Sequence, residues 1–154
     1  MMNVPYSSPD VSLPRDGGEM LKLNELRPKN VVLFFYPRDA TPSCTKEAIA
    51  FSQAKEDFEK LNTVIIGISK DSIKKHKNFI EKQGLKIKLA SDEEGKVIES
   101  FGVWVEKKMY GRTYMGIERS TFIISSNKKI LEIYRKVKVK NHANLVLERS
   151  KELI

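Results

Sequence analysis

The sequence predicts an α/β domain built on a mixed central sheet with helices on both faces. Three observations predict it. Val31–Tyr36 and Thr63–Ile68 are short runs rich in β-branched and aromatic residues, the pattern of strands buried on both sides. Between them Cys44, Ala48, Phe51, Ala54, Phe58 and Leu61 recur every three or four residues, the stripe of an amphipathic helix. Later, Thr121–Ile124 and a strand from Ile130 to Val137 flank the turn Ser125-Ser126-Asn127, which reads as a hairpin. Strand–helix–strand–helix gives parallel strands, and the hairpin adds antiparallel ones.

The elements follow in order. Residues 5–20 read as loop and short strand, punctuated by Pro5, Pro9, Pro14 and Gly17-Gly18. The strand at 31–36 stops at Pro37. One helix should run from about Pro42 to about Leu61, and the strand at 63–68 follows it. A helix at 72–83 has Ile73, Phe79 and Ile80 as inner positions and Gly84 as its stop. Ile87–Ala90 is a short strand and Gly95–Phe101 a short helix. Residues 103–118 look like extended arms around a turn. A last helix, 142–153, starts at an Asn141 cap.

A length of 154 residues suits one domain, 1–154, with a core large enough to need neither disulfide nor metal. The longest apolar run, Val31–Tyr36, is too short to span a bilayer, and the first residues do not read as a secretory signal. A single cysteine allows no disulfide within the chain and fits a reducing compartment, so a cytoplasmic location is expected. The net charge of +8 comes from lysines spread along the chain. It reads as a solvated basic surface rather than a nucleic-acid or membrane site, with binding of anionic partners or steering of anionic thiols as lesser readings.

The chemistry-bearing stretch is Phe35–Glu47. Thr41 is a good N-cap, and Pro42 fits the first helical position. Cys44 then takes the third helical position, where free N–H groups and the helix dipole favour negative charge. A free thiol, with a pKa of about 8.5, is only a few per cent thiolate at neutral pH. About 2.7 kcal/mol of differential stabilisation makes thiolate the main form. The same cysteine also opens the Phe51–Phe58 stripe, and on spacing alone a small buried hydrophobe is the favoured reading. His76 and His142 lack metal-ligand spacing and read as ordinary helix residues. Neither Ser43 nor Ser120 has a visible His–Asp arrangement, and no glycine-rich nucleotide loop occurs. No metal or cofactor is therefore expected.

Pro37-x-x-x-Thr41-x-x-Cys44 resembles the active-site motif of peroxiredoxins. The longer match resembles the bacterioferritin comigratory protein branch, or Q type. It runs through Phe35–Thr45, Phe101–Trp104, Lys108–Arg112 and Gly116–Phe122, with Pro9–Pro14 ahead of them. The resemblance implies a thioredoxin-like fold and a thiol-dependent peroxidase acting as a monomer. It makes Cys44 the peroxidatic cysteine, and Thr41 the hydroxyl that bonds the thiolate and the peroxide. Arg119 becomes the guanidinium beside the sulfur, Pro37 the shield of the pocket, and Glu47 a holder of the arginine. The substrate would be hydrogen peroxide or an organic hydroperoxide.

Departures from the pattern are informative. Many Q-type members carry a resolving cysteine five residues after the first, where this chain has Ile49, or on the next helix, where it has none between Asp71 and Gly84. The sulfenic acid would therefore pass to an external thiol: thioredoxin, glutaredoxin or glutathione. Ser43 replaces the usual glycine. A thioredoxin-type disulfide oxidoreductase would need Cys-x-x-Cys, and here Thr41 holds the first place. A non-enzymatic binding or holdase module of the same fold is the alternative function.

Overall fold

The computed structural model describes residues 3–26 and 29–154. Its first half runs β1 (Tyr6–Ser7), β2 (Ser12–Pro14), β3 (Met20–Lys22), a short 3₁₀ turn, β4 (Asn30–Phe35), α1 (Pro42–Gln53), α2 (Lys55–Glu59) and β5 (Thr63–Ser69). The second half runs α3 (Ile73–Gln83), β6 (Lys88–Ser91), α4 (Lys96–Ser100), β7 (Trp104–Met109), β8 (Arg112–Ile117), β9 (Ser120–Ile124), β10 (Lys129–Tyr134) and α5 (His142–Leu153).

The main sheet has the order β1-β10-β9-β4-β5-β6. β4, β5 and β6 are parallel, and β9 turns back antiparallel against β4. β2–β3 and β7–β8 form separate two-stranded sheets. Alternation along β4 divides the core. Val31, Leu33 and Phe35 pack with Val97, Ile98 and Phe101 on one face. Val32, Phe34 and Tyr36 pack with Phe51, Phe58, Phe79 and Val146 on the other. Each fully buried side chain of this size contributes about 1.5–3 kcal/mol. Helices cover both faces, as the alternation predicts: α4 on the first, and α1, α2, α3 and α5 on the second. No helix among the described residues is long and apolar enough to cross a membrane.

Four local expectations need correction. The long helix is broken at Ala54, where ψ is 0° and the N–H is shared between the Ala50 and Phe51 carbonyls. The tightened turn leaves both Phe51 and Phe58 fully buried. Asn141 does start α5, but with φ of 61° and no side-chain cap. It is suited to that place by its tolerance of left-handed backbone. β10 stops at Tyr134, three residues early, after a bulge between Ile130 and Glu132. On α3 Phe79 is buried as expected, but the other buried place belongs to His76, while Ile73 and Ile80 are half-buried.

Candidate active site

Two chain segments far apart in sequence meet at the end of β4. The register pairs Phe35 with Ser120, so Arg119, one residue before β9, lies beside the point where β4 gives way to the loop 37–41. That loop turns sharply through Ala40, whose φ is 65°, and delivers the chain to α1. Pro42 holds the first helical position and Cys44 the third, as the sequence predicts.

The guanidinium of Arg119 bridges two groups on one face of α1. Its Nη2 is 3.4 Å from Cys44 Sγ, and its Nη1 donates to Glu47 Oε1 at 2.7 Å. Cys44 and Glu47 are three residues apart, one helical turn, which is why a single planar fork reaches both. Cys44 and Glu47 are each 1% exposed, and the Arg119 side chain 14%. Burial pushes the Glu47 carboxyl up to about 7, although Arg119 pulls the other way. Its second oxygen, Oε2, has no hydrogen-bond partner. Burial also works against the Arg119 charge, but Glu47 and Cys44 outweigh it and hold the guanidinium above its ordinary value.

Thr41 has the extended backbone of an N-cap, yet its hydroxyl donates to the Arg38 carbonyl at 3.0 Å rather than accepting from the helix. Its own carbonyl accepts from the Thr45 N–H and from the Thr45 hydroxyl. Pro37 is half-buried at the start of the loop. Cys44, Arg119 and Glu47 are thus joined directly. Thr41 and Pro37 stand at the two ends of the loop beside them.

Sequence reasoning missed two sets of residues. Lys107, on β7, is depressed by burial first and then by the charge of Arg119, with Cys44 acting the other way, so it lies within electrostatic reach of the site. Only the pairing of β7 with β8 brings it there, and no local pattern signals it. The second set surrounds the loop. His76 is fully buried and contacts Asp39, with Tyr36, Ser69 and Asp71 around them. The reading of His76 and His142 as ordinary helix residues is corrected here. His142 is buried too, with Nε2 2.8 Å from the Thr121 hydroxyl. Burial, and then Arg119, lower its pKa to about 4. No cluster of acids, histidines and cysteine among the described residues could hold a metal.

Comparison with known proteins gives a consistent result. Residues 5–133 match the AhpC/TSA family. The chain is 45% identical over 152 residues to the peroxiredoxin Bcp of Bacillus subtilis, covering 99% of this chain and 97% of the relative. It is 44% identical over 148 residues to a putative peroxiredoxin bcp of Coxiella burnetii, covering 96% and 98%. Among solved structures it superposes on the bacterioferritin comigratory protein of Xanthomonas campestris, studied for alkyl peroxide reduction, with a TM-score of 0.89 and 39% identity over 93% of this chain and 91% of that one. A cysteine-to-serine mutant of Xylella fastidiosa PrxQ matches with a TM-score of 0.93 and 36% identity over 99% and 98%. The chain belongs to the AhpC/TSA family and, within it, to the Bcp or Q-type peroxiredoxins, thiol-dependent peroxidases of the thioredoxin fold.

Proposed function

We propose that Cys44 carries the peroxidase reaction and that its oxidised form is reduced by a thiol from another molecule. The observation that carries this is the Arg119 bridge, which sets a guanidinium N–H 3.4 Å from the only sulfur that can act as a nucleophile.

Cys44 as thiolate attacks one peroxide oxygen. A sulfur–oxygen bond forms, the oxygen–oxygen bond breaks, and the departing oxygen takes a proton to leave as water or an alcohol. The cationic Arg119 favours the thiolate beforehand and donates to the oxygens as charge moves onto them. Glu47 fixes the plane of the guanidinium through the second arm of the fork. Thr41 turns its hydroxyl from the Arg38 carbonyl to the peroxide, and Pro37 keeps water from the pocket. The sulfenic acid then condenses with an external thiol, releasing water and leaving a mixed disulfide. A second thiol displaces Cys44 from it. Thioredoxin, glutaredoxin and glutathione are the reductants this reading allows. It has the chain working as a single-domain monomer in the cytoplasm.

Reduced protein is mixed rapidly with equimolar hydrogen peroxide, following Trp104 fluorescence and Cys44 mass, with Cys44→Ser as control. Oxidation of Cys44 orders of magnitude faster than free cysteine supports the reading. Reaction no faster than free cysteine removes it and leaves the binding or holdase module. Coupled assays with each reductant then test the external thiol: turnover with none of them would sink that part alone.

A further inference from the structure

The loop that leads to Cys44 has one buried anchor. Of its residues, Arg38 and Ala40 are exposed, Pro37 and Thr41 half-buried, and only Asp39 is buried. Asp39 enters a polar network between β4, β5, β6 and α3. Its Oδ1 accepts from the Tyr36 hydroxyl at 2.6 Å, and its Oδ2 is 2.7 Å from His76 Nδ1. Its backbone N–H donates to Asp71 Oδ2 at 2.7 Å, an oxygen that also accepts from the Ser69 hydroxyl at 2.7 Å. Lys75, one residue before His76, lies 4.0 Å from the other Asp71 oxygen.

The hydrogen-bond partners fix how many protons the pair holds. His76 Nε2 faces the Ala90 carbonyl at 3.0 Å. A carbonyl only accepts, so Nε2 carries a hydrogen. The 2.7 Å contact between Nδ1 and Oδ2 therefore needs one further proton, on the nitrogen or on the oxygen. Neither group can turn to water for a substitute, because His76 is wholly buried and Asp39 is 8% exposed. A short exposed turn with one left-handed alanine is thus tied to the body of the protein by two side-chain bonds and one N–H.

We propose that the Asp39–His76 pair is a positioning device for the peroxide pocket, holding the loop so that Pro37 and Thr41 face Cys44. It rests on the reading of Cys44 as the peroxidatic cysteine. Asp39 and His76 act through the loop and do not touch the reacting atoms. The direct Cys44 partners, Arg119 and the start of α1, are outside the network.

That separation makes the role testable with isosteres. In Asp39→Asn the amide nitrogen donates to Nδ1 of a neutral His76 and the amide oxygen accepts from Tyr36, so every side-chain bond survives without the carboxyl. Asp39→Ala removes them all. Two rates are measured on each protein: Cys44 oxidation by hydrogen peroxide, and the pH profile of Cys44 alkylation by iodoacetamide. Asp39→Ala should oxidise about ten-fold or more slowly with the midpoint of its alkylation profile unchanged, because a positioning fault in the loop costs rate without moving Arg119, the guanidinium set against the sulfur. Asp39→Asn should stay within about three-fold of wild type. The proposal is overturned if Asp39→Ala reacts at the wild-type rate, if Asp39→Asn falls as far as Asp39→Ala, or if the alkylation midpoint moves with the loss. Should Asp39→Ala fail to fold, Tyr36→Phe decides, since it removes one oxygen and no packing. A loss of about two- to five-fold supports the device, and no loss removes it. Wild type is measured first. If it shows no fast oxidation, the reading of Cys44 fails, and the two failures stay distinct.

Discussion

Arg119 serves two acceptors at once, and this decides what its replacement should do. A lysine is a point charge on a flexible stem and cannot hold Cys44 and Glu47 with one planar fork. Arg119→Lys should stay folded and oxidise about 10²-fold more slowly, on the scale seen when one preorganised donor is removed from an active site. Rapid mixing with peroxide, alongside circular dichroism, checks this. Glu47 gives a prediction about stability. Burial holds its folded pKa at about 7, above its ordinary 4.5. The stability it contributes is therefore whole below about 4.5 and is lost as pH rises through about 7. Glu47→Gln keeps an oxygen for Arg119 and drops the buried charge. The variant should match wild type near pH 5 and be about 1–3 kcal/mol more stable near pH 9. Denaturant midpoints at the two pH values measure this, and a variant less stable at both would refute it.

Packing between elements is close where Gly67 of β5 lies between Phe34 of β4 and Leu89 of β6, its register partners on the flanking parallel strands. A Cβ at Gly67 on β5 would lie 2.7 Å from Phe34 and 2.9 Å from Leu89. Glycine is needed here for space and not for backbone freedom. Gly67→Ala should cost about 1–3 kcal/mol, the usual range for overpacking a close-packed core. A thermal melt tests it, and an unchanged melting temperature would mean that Phe34 moves aside freely. At the start of α1 the demands differ. Thr41 leaves the helix N–H groups without a side-chain cap. That keeps the positive end of the helix available to whatever charge forms at Cys44.

On the scale of the whole molecule, two charge effects follow. His142, the first residue of α5, is buried and has a pKa of about 4, below its ordinary 6.5. Its contribution to stability is present above about 6.5 and lost as pH falls toward about 4. Acid unfolding should therefore begin earlier in wild type than in His142→Gln, when the two are normalised at pH 8. Near-ultraviolet circular dichroism against pH reads this, and coincident normalised curves would count against it. The net charge of +8 also bears on reduction of the oxidised protein. Glutathione is anionic, so its reaction should slow several-fold between about 0.01 and 0.5 M salt, as screening shortens the reach of the basic surface. An uncharged thiol should be nearly indifferent. Equal salt dependence for both would exclude steering.

The sequence by itself determined the central strands, the order of most elements and the place of Cys44 on its helix. Those depend on local regularities: alternation, the three-to-four stripe, Pro42 at a helix start and Gly84 at a helix end. The family pattern also named Arg119 and Glu47 as partners. Tertiary structure alone decided that one guanidinium reaches both Cys44 and Glu47, because that contact joins residues 72 and 75 positions apart. It alone decided the break at Ala54, where the backbone leaves the helical range and the N–H is shared between the Ala50 and Phe51 carbonyls. It also turned His76 from an ordinary helix residue into the partner of Asp39. A histidine's role is set by what faces its two nitrogens, and here those groups come from β6 and from the loop after β4. Local pattern encodes which face a residue takes, while long-range register decides which atoms it meets there.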